Sequence, residues 1–457
     1  MKTVITLLML LDITLTIGQW SQPVTLAENI AAYGAGPELV PLRGDTVWVF
    51  WIQEGTPTRL MARCFAADNW SETETLALGL NGIFWPTGIV DDSNHLLIAF
   101  YEGSYPVKLA TFQDSWGIYT MERTETGWAQ PTLAHNMEMV SFPFQIRLGR
   151  NRNGDIGMAW DENAGGVNSM DSVMFSRKTG SSWTSRRCLA PGRYPDVKCS
   201  HAFLVPGDSS DFIISFWRWT YPNSNQVEVW DLNDSLINEP WVFAGSSPVL
   251  SGDENSRFLV FRREDSLFGS MNQGTGWIPE QLIATGLGWG TSGLCTDAMG
   301  WAWTCWPDSF QQAVLVCYNY GTYWSYPETV ATFSSLGASR IASDDFGRIH
   351  CVWFDHAAGN PGRLRHASRL ERPGIMDEYL QTPKPYLEHQ PTIVHSVLIL
   401  SKAVGGERSA VSELLDITGR KVIDLHPGVN DIRHISQGVY FIRFDTETIT
   451  KKLIITK

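Results

Sequence analysis

The stretch Ser343-Asp-Asp-Phe-Gly-Arg-Ile-His-Cys-Val-Trp-Phe-Asp355 decides the fold. Asp344 and Gly347 form a turn signal, and Trp353 follows six residues after the glycine. The same spacing recurs at Asp297–Gly300–Trp306, Asn151–Gly154–Trp160, Asp91–Asn94–Phe100 and Asp208–Asp211–Trp217. A weaker copy is Gly252–Asn255–Phe261, and a decayed first copy ends in Asp45 and Trp51. The terminal aromatics thus fall 44 to 60 residues apart. A period of about 40–60 residues with turn-rich, aromatic strands is that of four-stranded propeller blades.

Outward from each turn, the reading places a first strand before it and a second strand ending on the aromatic. Third strands are expected at residues 59–65, 107–112, 172–177, 226–232, 266–271, 313–318 and 363–368. Several fourth strands open on a tryptophan, at Trp70, Trp128, Trp277 and Trp324. The last unit has no such strand after it. Trp20-Ser-Gln-Pro-Val-Thr-Leu26 has the same character, so the N-terminal segment is expected to complete that unit and close the ring. Closure removes two open sheet edges. The expectation is an all-β chain with a seven-bladed β-propeller at 19–370; the weak copies leave six or eight blades open.

Composition agrees. Of 457 residues, 43% are hydrophobic and 18% charged, which excludes a disordered chain. Twenty Trp, 40 Gly and 23 Pro suit aromatic strands cut by many turns. The net charge of −13 argues against a nucleic-acid binder and against a protein held electrostatically on anionic lipid.

The two ends read as addresses. Residues 1–18 combine Lys2, an apolar run and small residues before Gln19, the pattern of a secretory signal peptide. No other stretch approaches the roughly 20 apolar residues of a membrane span, so no integral membrane span is expected. Pro373, Pro383 and Pro385 lie among polar residues in an extended linker over 371–390. Residues 391–457 hold short alternating strands split by Gly419, Gly428 and Gly438, enough for a small Ig-like β-sandwich. Their order, with Asp416-Ile-Thr-Gly-Arg-Lys-Val422, Gln437-Gly-Val-Tyr-Phe-Ile-Arg443 and the basic end Lys451-Lys-Leu-Ile-Ile-Thr-Lys457, resembles the C-terminal sorting domain of proteins exported by the bacterial type IX secretion system. That resemblance implies export through the type IX secretion machinery, followed by release or cell-surface attachment.

The repeat at 343–355 resembles the blade motif of exo-sialidase-like (BNR-type) propellers. Ser343, Asp345 and Gly347 fit the family's Asp box, but His350 stands where its tryptophan belongs.

In such a ring the loops after the second strands share one rim. Here they open on Tyr101 and Glu102, Asp161 and Glu162, Arg218 and Trp219, Arg262 and Arg263, Asp308, and Asp355. Aromatic faces stack on sugar rings and charged groups bind hydroxyls in pairs, so the mixture suits carbohydrate binding. Trp160, Trp306 and Trp353 share one register and are expected in the core. Trp85, Trp219 and Trp289 lie off that register, and with Tyr101, Arg218 and Arg262 are the ligand-binding candidates. Glycoside hydrolysis needs two carboxylates about 5–9 Å apart, one kept protonated. The candidates are Glu102, Asp161, Glu162 and Asp355. An Arg263–Glu264 neighbour pair could also simply neutralise itself. A sialidase-type Arg-Ile-Pro motif is absent near the start.

No metal-ligand spacing or phosphate-binding glycine loop occurs, so neither metal nor other cofactor is expected. Seven cysteines leave one odd. Cys188 and Cys199 are near enough in sequence to bridge, Cys295, Cys305 and Cys317 are expected side by side on three strands, and Cys64 and Cys351 are expected as buried thiols. The reading is a secreted or cell-surface propeller that binds an extracellular glycan or protein ligand. The alternatives are a glycoside hydrolase or lyase using rim carboxylates, or a structural envelope component.

Overall fold

The computed structural model describes residues 20–370, apart from 31–35, 80–81, 104–115, 125–126, 138–144, 163–171, 191–196, 208–210, 221–223, 233–240, 254, 275, 288–291, 320–322, 334–336 and 356–361; beyond them it describes 393–394, 397–400, 412–416, 419–425, 428–431, 435–444 and 450–455. The expected signal peptide and linker lie outside the described residues. The chain divides into two compact units, Met1–Met376 and Asp377–Lys457. Every regular element described is a β-strand.

The first unit begins with β1 (Val24–Ile30). Antiparallel meanders follow. The first is β2 (Glu38–Pro41), β3 (Val47–Gln53), β4 (Thr58–Ala66) and, past the short β5 (Asn69–Trp70), β6 (Glu74–Gly79). Next come β7 (Ile83–Val90), β8 (Leu96–Glu102), β9 (Trp116–Thr124), β10 (Gly127–Trp128) and β11 (Thr132–Met137). Then come β12 (Ile146–Arg150), β13 (Ile156–Glu162), β14 (Ser172–Thr179), β15 (Ser182–Trp183) and β16 (Arg187–Ala190). Two simple meanders are β17 (Val197–Pro206), β18 (Phe212–Thr220), β19 (Ser224–Leu232), β20 (Trp241–Ala244), and β21 (Ser246–Gly252), β22 (Arg257–Arg263), β23 (Ser266–Asn272), β24 (Gln281–Ala284). The last are β25 (Gly293–Thr296), β26 (Ala302–Asp308), β27 (Ala313–Asn319), β28 (Glu328–Thr332), and β29 (Ser339–Ser343), β30 (Arg348–Asp355), β31 (Gly362–Leu370).

This final three-stranded meander is completed by β1, which runs antiparallel to β31 with Val24 opposite His366 and Thr25 opposite Arg365. The first strands pack edge to edge around an axis: β2 on β7, β7 on β12, β12 on β17, β17 on β21, β21 on β25, β25 on β29, and β29 back on β2. The unit is a β-propeller.

The second strands explain why the ring is stable. They are covered on both faces, so they read as continuous apolar runs rather than alternating ones. Every residue of β13 and β26 is buried. Trp160, Trp306 and Trp353 lie in the layers between blades, as their shared register suggests. Close approach of the first strands needs small residues. A Cβ on Gly149 in β12 would sit 2.4 Å from Leu204 Cβ and 2.8 Å from its carbonyl oxygen in β17.

The turns before the second strands are closed by side chains. Asp344 Oδ1 accepts the amides of Phe346 (3.0 Å) and Arg348 (2.8 Å). Asp297, Asn151 and Asp91 make the same pair of bonds in their own turns. These are Asx turns, in which a short polar side chain replaces a backbone acceptor. Asp297 Oδ2 also takes the indole N–H of Trp303 at 3.0 Å, and Asp344 Oδ2 faces Nε2 of His350 at 3.4 Å. Asp344, not Asp345, therefore holds the turn, and His350 occupies the tryptophan's place.

Two expectations differ from the structure. The third strand of the second meander is Trp116–Thr124, after a long connection, and the expected 107–112 lies outside the described residues. The cysteines of β25–β27 are not aligned. Cys305 stands opposite Gly293 and Val316, and Cys317 opposite Thr304. That one-residue offset turns Cys317 to the other face of the sheet. Cys305 instead packs in one cluster with Cys351 and Cys295. The six cysteines described, Cys64, Cys188, Cys295, Cys305, Cys317 and Cys351, are all thiols; the side chain of Cys199 lies outside those described.

In the second unit, β32 (Ile393–Val394), β34 (Ser412–Asp416), β35 (Lys421–Leu425), β37 (Gly438–Phe444) and β38 (Thr450–Ile455) form one sheet. A second pair joins β33 (Val397–Leu400) to β36 (Gly428–Asp431).

Candidate functional site

The C-terminal ends of β8, β13, β18, β22, β26 and β30 carry the candidate rim residues. The structure distributes them between the interior and the surface.

Three of them meet at one blade junction. Tyr101 is 0% exposed, and its hydroxyl donates to the Gln145 carbonyl at 3.1 Å. Asp161, 1% exposed, accepts the Gln145 amide at 2.7 Å through Oδ1. Glu162 is 0% exposed; Oε2 accepts the Trp160 indole N–H at 3.1 Å, and Oε1 lies 2.6 Å from Arg186 Nη1. His135 stacks on Trp160 with ring centroids 4.9 Å apart. Burial, and then the Arg186 charge, push its pKa down to about 4. Tyr101 thus fastens the second meander to the third, while Asp161 and Glu162 bind partners within their own meander; all three are engaged in the interior. Carboxylates taken out of water need such partners, which explains the burial.

The other candidates keep some exposure. Glu102 is half-buried, and burial raises its carboxyl pKa. Arg218 is half-buried and lies 2.6 Å from Glu228, which also accepts the Trp230 indole. Trp219 is half-buried on β18. Arg262 donates to the Leu287 carbonyl at 3.4 Å, and burial lowers its pKa. Arg263 pairs with Glu280 at 2.6 Å rather than with its neighbour Glu264. Trp85 sits half-buried at a bulge in β7 with φ 52° and packs against the apolar layers on both sides of its blade. Trp289 lies outside the described residues.

Asp355 is the candidate carboxylate that opens on a large cavity. The space, of about 760 Å³, lies between β28 and the segment leading into β1, and Trp20, Glu328, Asp355, Arg363 and Arg365 line it. Arg365 Nη1 stands 3.7 Å from Asp355, and Arg363 stands 3.4 Å from Glu28. The cavity thus joins one indole to alternating carboxylates and guanidinium groups.

A second cavity, of about 240 Å³, runs along the axis. Glu38 from β2 lies in it between Arg147 from β12, at 3.0 Å, and Arg340 from β29, at 3.7 Å. Sequence reasoning missed all three, having confined chemistry to the loops. The available signal was a charged residue inside an otherwise apolar first strand, as in Gln145-Ile-Arg-Leu148 and Ser339-Arg-Ile-Ala342. Among the described residues, no three His, Cys, Asp or Glu side chains group as metal ligands, and no helix is long and apolar enough to cross a membrane.

No protein-family model matches the chain, and no curated protein matches it. Solved structures do. A protein of unknown function from Dyadobacter fermentans is 11% identical, with a TM-score of 0.50 over 77% of this chain and 98% of its own. The polysaccharide lyase Uly1 is 8% identical, with a TM-score of 0.50 over 78% of this chain and 100% of its own. A ulvan lyase of a new polysaccharide-lyase family, bound to -[GlcA(1-4)Rha3S]-, is 10% identical, with a TM-score of 0.50 over 79% of this chain and 100% of its own. At these identities the likeness is one of fold alone.

Proposed function

We propose that the chain is an exported, seven-bladed, sialidase-like propeller that binds extracellular glycan. The observation that carries this reading is the Asp355 cavity. Its indole supplies an apolar face for a sugar ring, and its carboxylates and guanidinium groups supply paired hydrogen bonds to hydroxyls. The lyase structures of the same fold give glycan chemistry a precedent. Burial of Asp161 and Glu162 inside a blade junction favours binding over hydrolysis, because two of the four candidate carboxylates are then structural.

The first-strand contacts, running from β2 round to β29 and back, support seven blades. The Trp303–Asp297 bond supports the likeness of the turns to the sialidase Asp box. We assign residues 1–18 to a signal peptide, 19–370 to the propeller, 371–390 to a linker and 391–457 to an Ig-like type IX sorting domain. The strand order β32-β38-β37-β34-β35 with the separate β33–β36 pair supports the sandwich. The protein then reaches the outside of the cell, secreted or surface-attached.

A second reading, a glycoside hydrolase or lyase, is favoured by one feature: burial raises the pKa of Glu102, the direction a proton donor requires. Incubating the protein with a pool of extracellular polysaccharides, followed by mass spectrometry, separates the readings. Intact glycan retained on the protein, and lost in Asp355→Asn and Trp20→Ala, supports binding. New shortened products abolished by Glu102→Gln establish the enzyme instead. Neither retention nor products would overturn both and leave a protein partner or a structural role.

A further inference from the structure

Among the described residues, the cavity beside Asp355 is lined by two carboxylates, Glu328 and Asp355, and two guanidinium groups, Arg363 and Arg365. Each already faces an opposite charge. Arg365 Nη1 stands 3.7 Å from Asp355, Arg363 Nε stands 3.4 Å from Glu28, and Glu328 pairs with Arg369. The arrangement follows from strand geometry. Arg363, Arg365 and Arg369 occupy alternate positions of β31 and so share one face, and the pairing of Arg369 with Glu328 places β28 opposite that face. Arg365 is also held by its second terminal nitrogen, which donates to the Pro23 carbonyl at 3.4 Å.

The apolar wall is fixed as well. Trp20 packs on the cluster that contains Trp303 and Trp353. Its neighbour Ser21 is tied to β31, donating its amide to the Ser368 carbonyl at 2.8 Å and accepting the Ser368 amide on its hydroxyl at 3.0 Å. An indole held in this way is ordered before any ligand arrives, which lowers the cost of binding. Its charged neighbours treat ligands unequally. An acidic sugar approaching Arg365 meets the Asp355 charge beside the same guanidinium, and like charges brought together weaken binding. The net charge of −13 adds a field that repels polyanions. A neutral sugar meets neither opposition. At 3.7 Å, Arg365 Nη1 and Asp355 attract by charge without a direct hydrogen bond between the two atoms. Hydroxyl groups beside them accept from the guanidinium and donate to the carboxylate, so they serve both groups without breaking the pair.

We propose that the Asp355 cavity selects neutral polysaccharides, with Trp20 against a sugar ring and its hydroxyl groups bridging Asp355 and Arg365, and discriminates against polysaccharides that carry carboxylate or sulfate groups. The inference rests on the reading of this cavity as a glycan site and narrows that reading to a substrate class. The volume of about 760 Å³ lies within the range of about 300–1,000 Å³ usual for small-ligand sites.

The test measures retention of the full-length protein on immobilised neutral polysaccharides (xylan, galactomannan, laminarin) and acidic ones (alginate, ulvan, chondroitin sulfate). Wild type should be retained by a neutral polysaccharide and by none of the acidic ones. Retention should change less than about twofold between about 0.05 and 0.5 M NaCl, because no net charge is neutralised on binding. Trp20→Ala should lower it about tenfold or more. A loosened N-terminal strand would produce the same loss, so a gain carries the test. Asp355→Asn removes the charge that opposes an anion at Arg365. It should weaken neutral binding and raise retention on an acidic polysaccharide about tenfold at low salt, and added salt or Arg365→Gln in the same protein should abolish the gain. Wild-type retention by acidic polysaccharides that depends on Trp20 overturns the selection for neutral sugars while leaving the glycan site in place. An Asp355→Asn protein with no gain toward acidic polysaccharides overturns the charge pairing as its basis. Retention by neither class overturns the glycan reading itself, and the inference with it.

Discussion

His350 Nε2 faces Asp344 Oδ2 at 3.4 Å, making in this repeat the contact that an indole makes one repeat earlier. Its other nitrogen lies 3.2 Å from Nε2 of His366, and both rings are buried against Phe65. The chain of contacts is satisfied with both rings neutral: His366 donates to His350, and His350 donates to Asp344. Burial lowers both pKa values, that of His366 well below the usual range. The unfolded chain therefore binds protons that the folded one refuses. Stability should be full above about pH 6.5, the unfolded value, and fall as the pH drops below it. Urea midpoints at about pH 7.5 and pH 5 check this. His366→Phe should lessen the loss, with His135 supplying part of what remains; an unchanged loss would remove the pair as its source.

Glu162→Gln tests the interior assignment of that residue. It removes the negative charge 2.6 Å from Arg186 and leaves one acceptor oxygen where Arg186 and the Trp160 indole each had one. Breaking a buried pair costs about 3–5 kcal/mol, and partial exposure of Arg186 should bring the loss to the lower end. Chemical denaturation reads it directly. Unchanged stability with altered glycan processing would return Glu162 to the catalytic candidates.

Gly149→Ala forces a methyl group into the backbone of Leu204. The neighbouring first strand must shift, so a loss of about 1–3 kcal/mol is expected. Measured stability equal to wild type would mean that the first strands slide without cost.

The thiols should separate by burial. Cys188 is exposed, whereas Cys305, Cys317 and Cys351 are buried. Burial pushes the Cys317 thiol up to about 12, and the thiolate is the reactive form. Brief iodoacetamide treatment followed by peptide mass spectrometry should mark Cys188 in the native protein. The other three should react only in denaturant. Native labelling of Cys351 would show that the layer between β26 and β30 opens.

The repeat was legible because turn chemistry and buried second strands are local: Asp344, Gly347 and Trp353 lie within ten residues of one another. The N-terminal strand on β31 was legible too, through the likeness of Trp20–Leu26 to other fourth strands. Side-chain partnerships were not. Glu162 finds Arg186 two strands onward, and Glu38 finds Arg147 and Arg340 on different blades. The Glu38 pairs depend on how the blades abut, and Glu162 reaches Arg186 across its own meander, so neither follows from the spacing along a single strand. Position on a rim loop likewise says nothing of depth: Glu162 and Asp355 close equivalent strands, yet one is interior and the other lines a cavity.

The pairing of Val24 with His366 has a consequence in time. The strand synthesised near the beginning can take its place only after residue 366 exists. At about 5–20 residues per second, that interval is roughly 20–70 s. Leu26 and Ile30, buried in the finished fold, spend it exposed. A machine that moves the chain through a membrane before this clasp fastens would meet an openable ribbon; one that acts later would meet a sealed wheel.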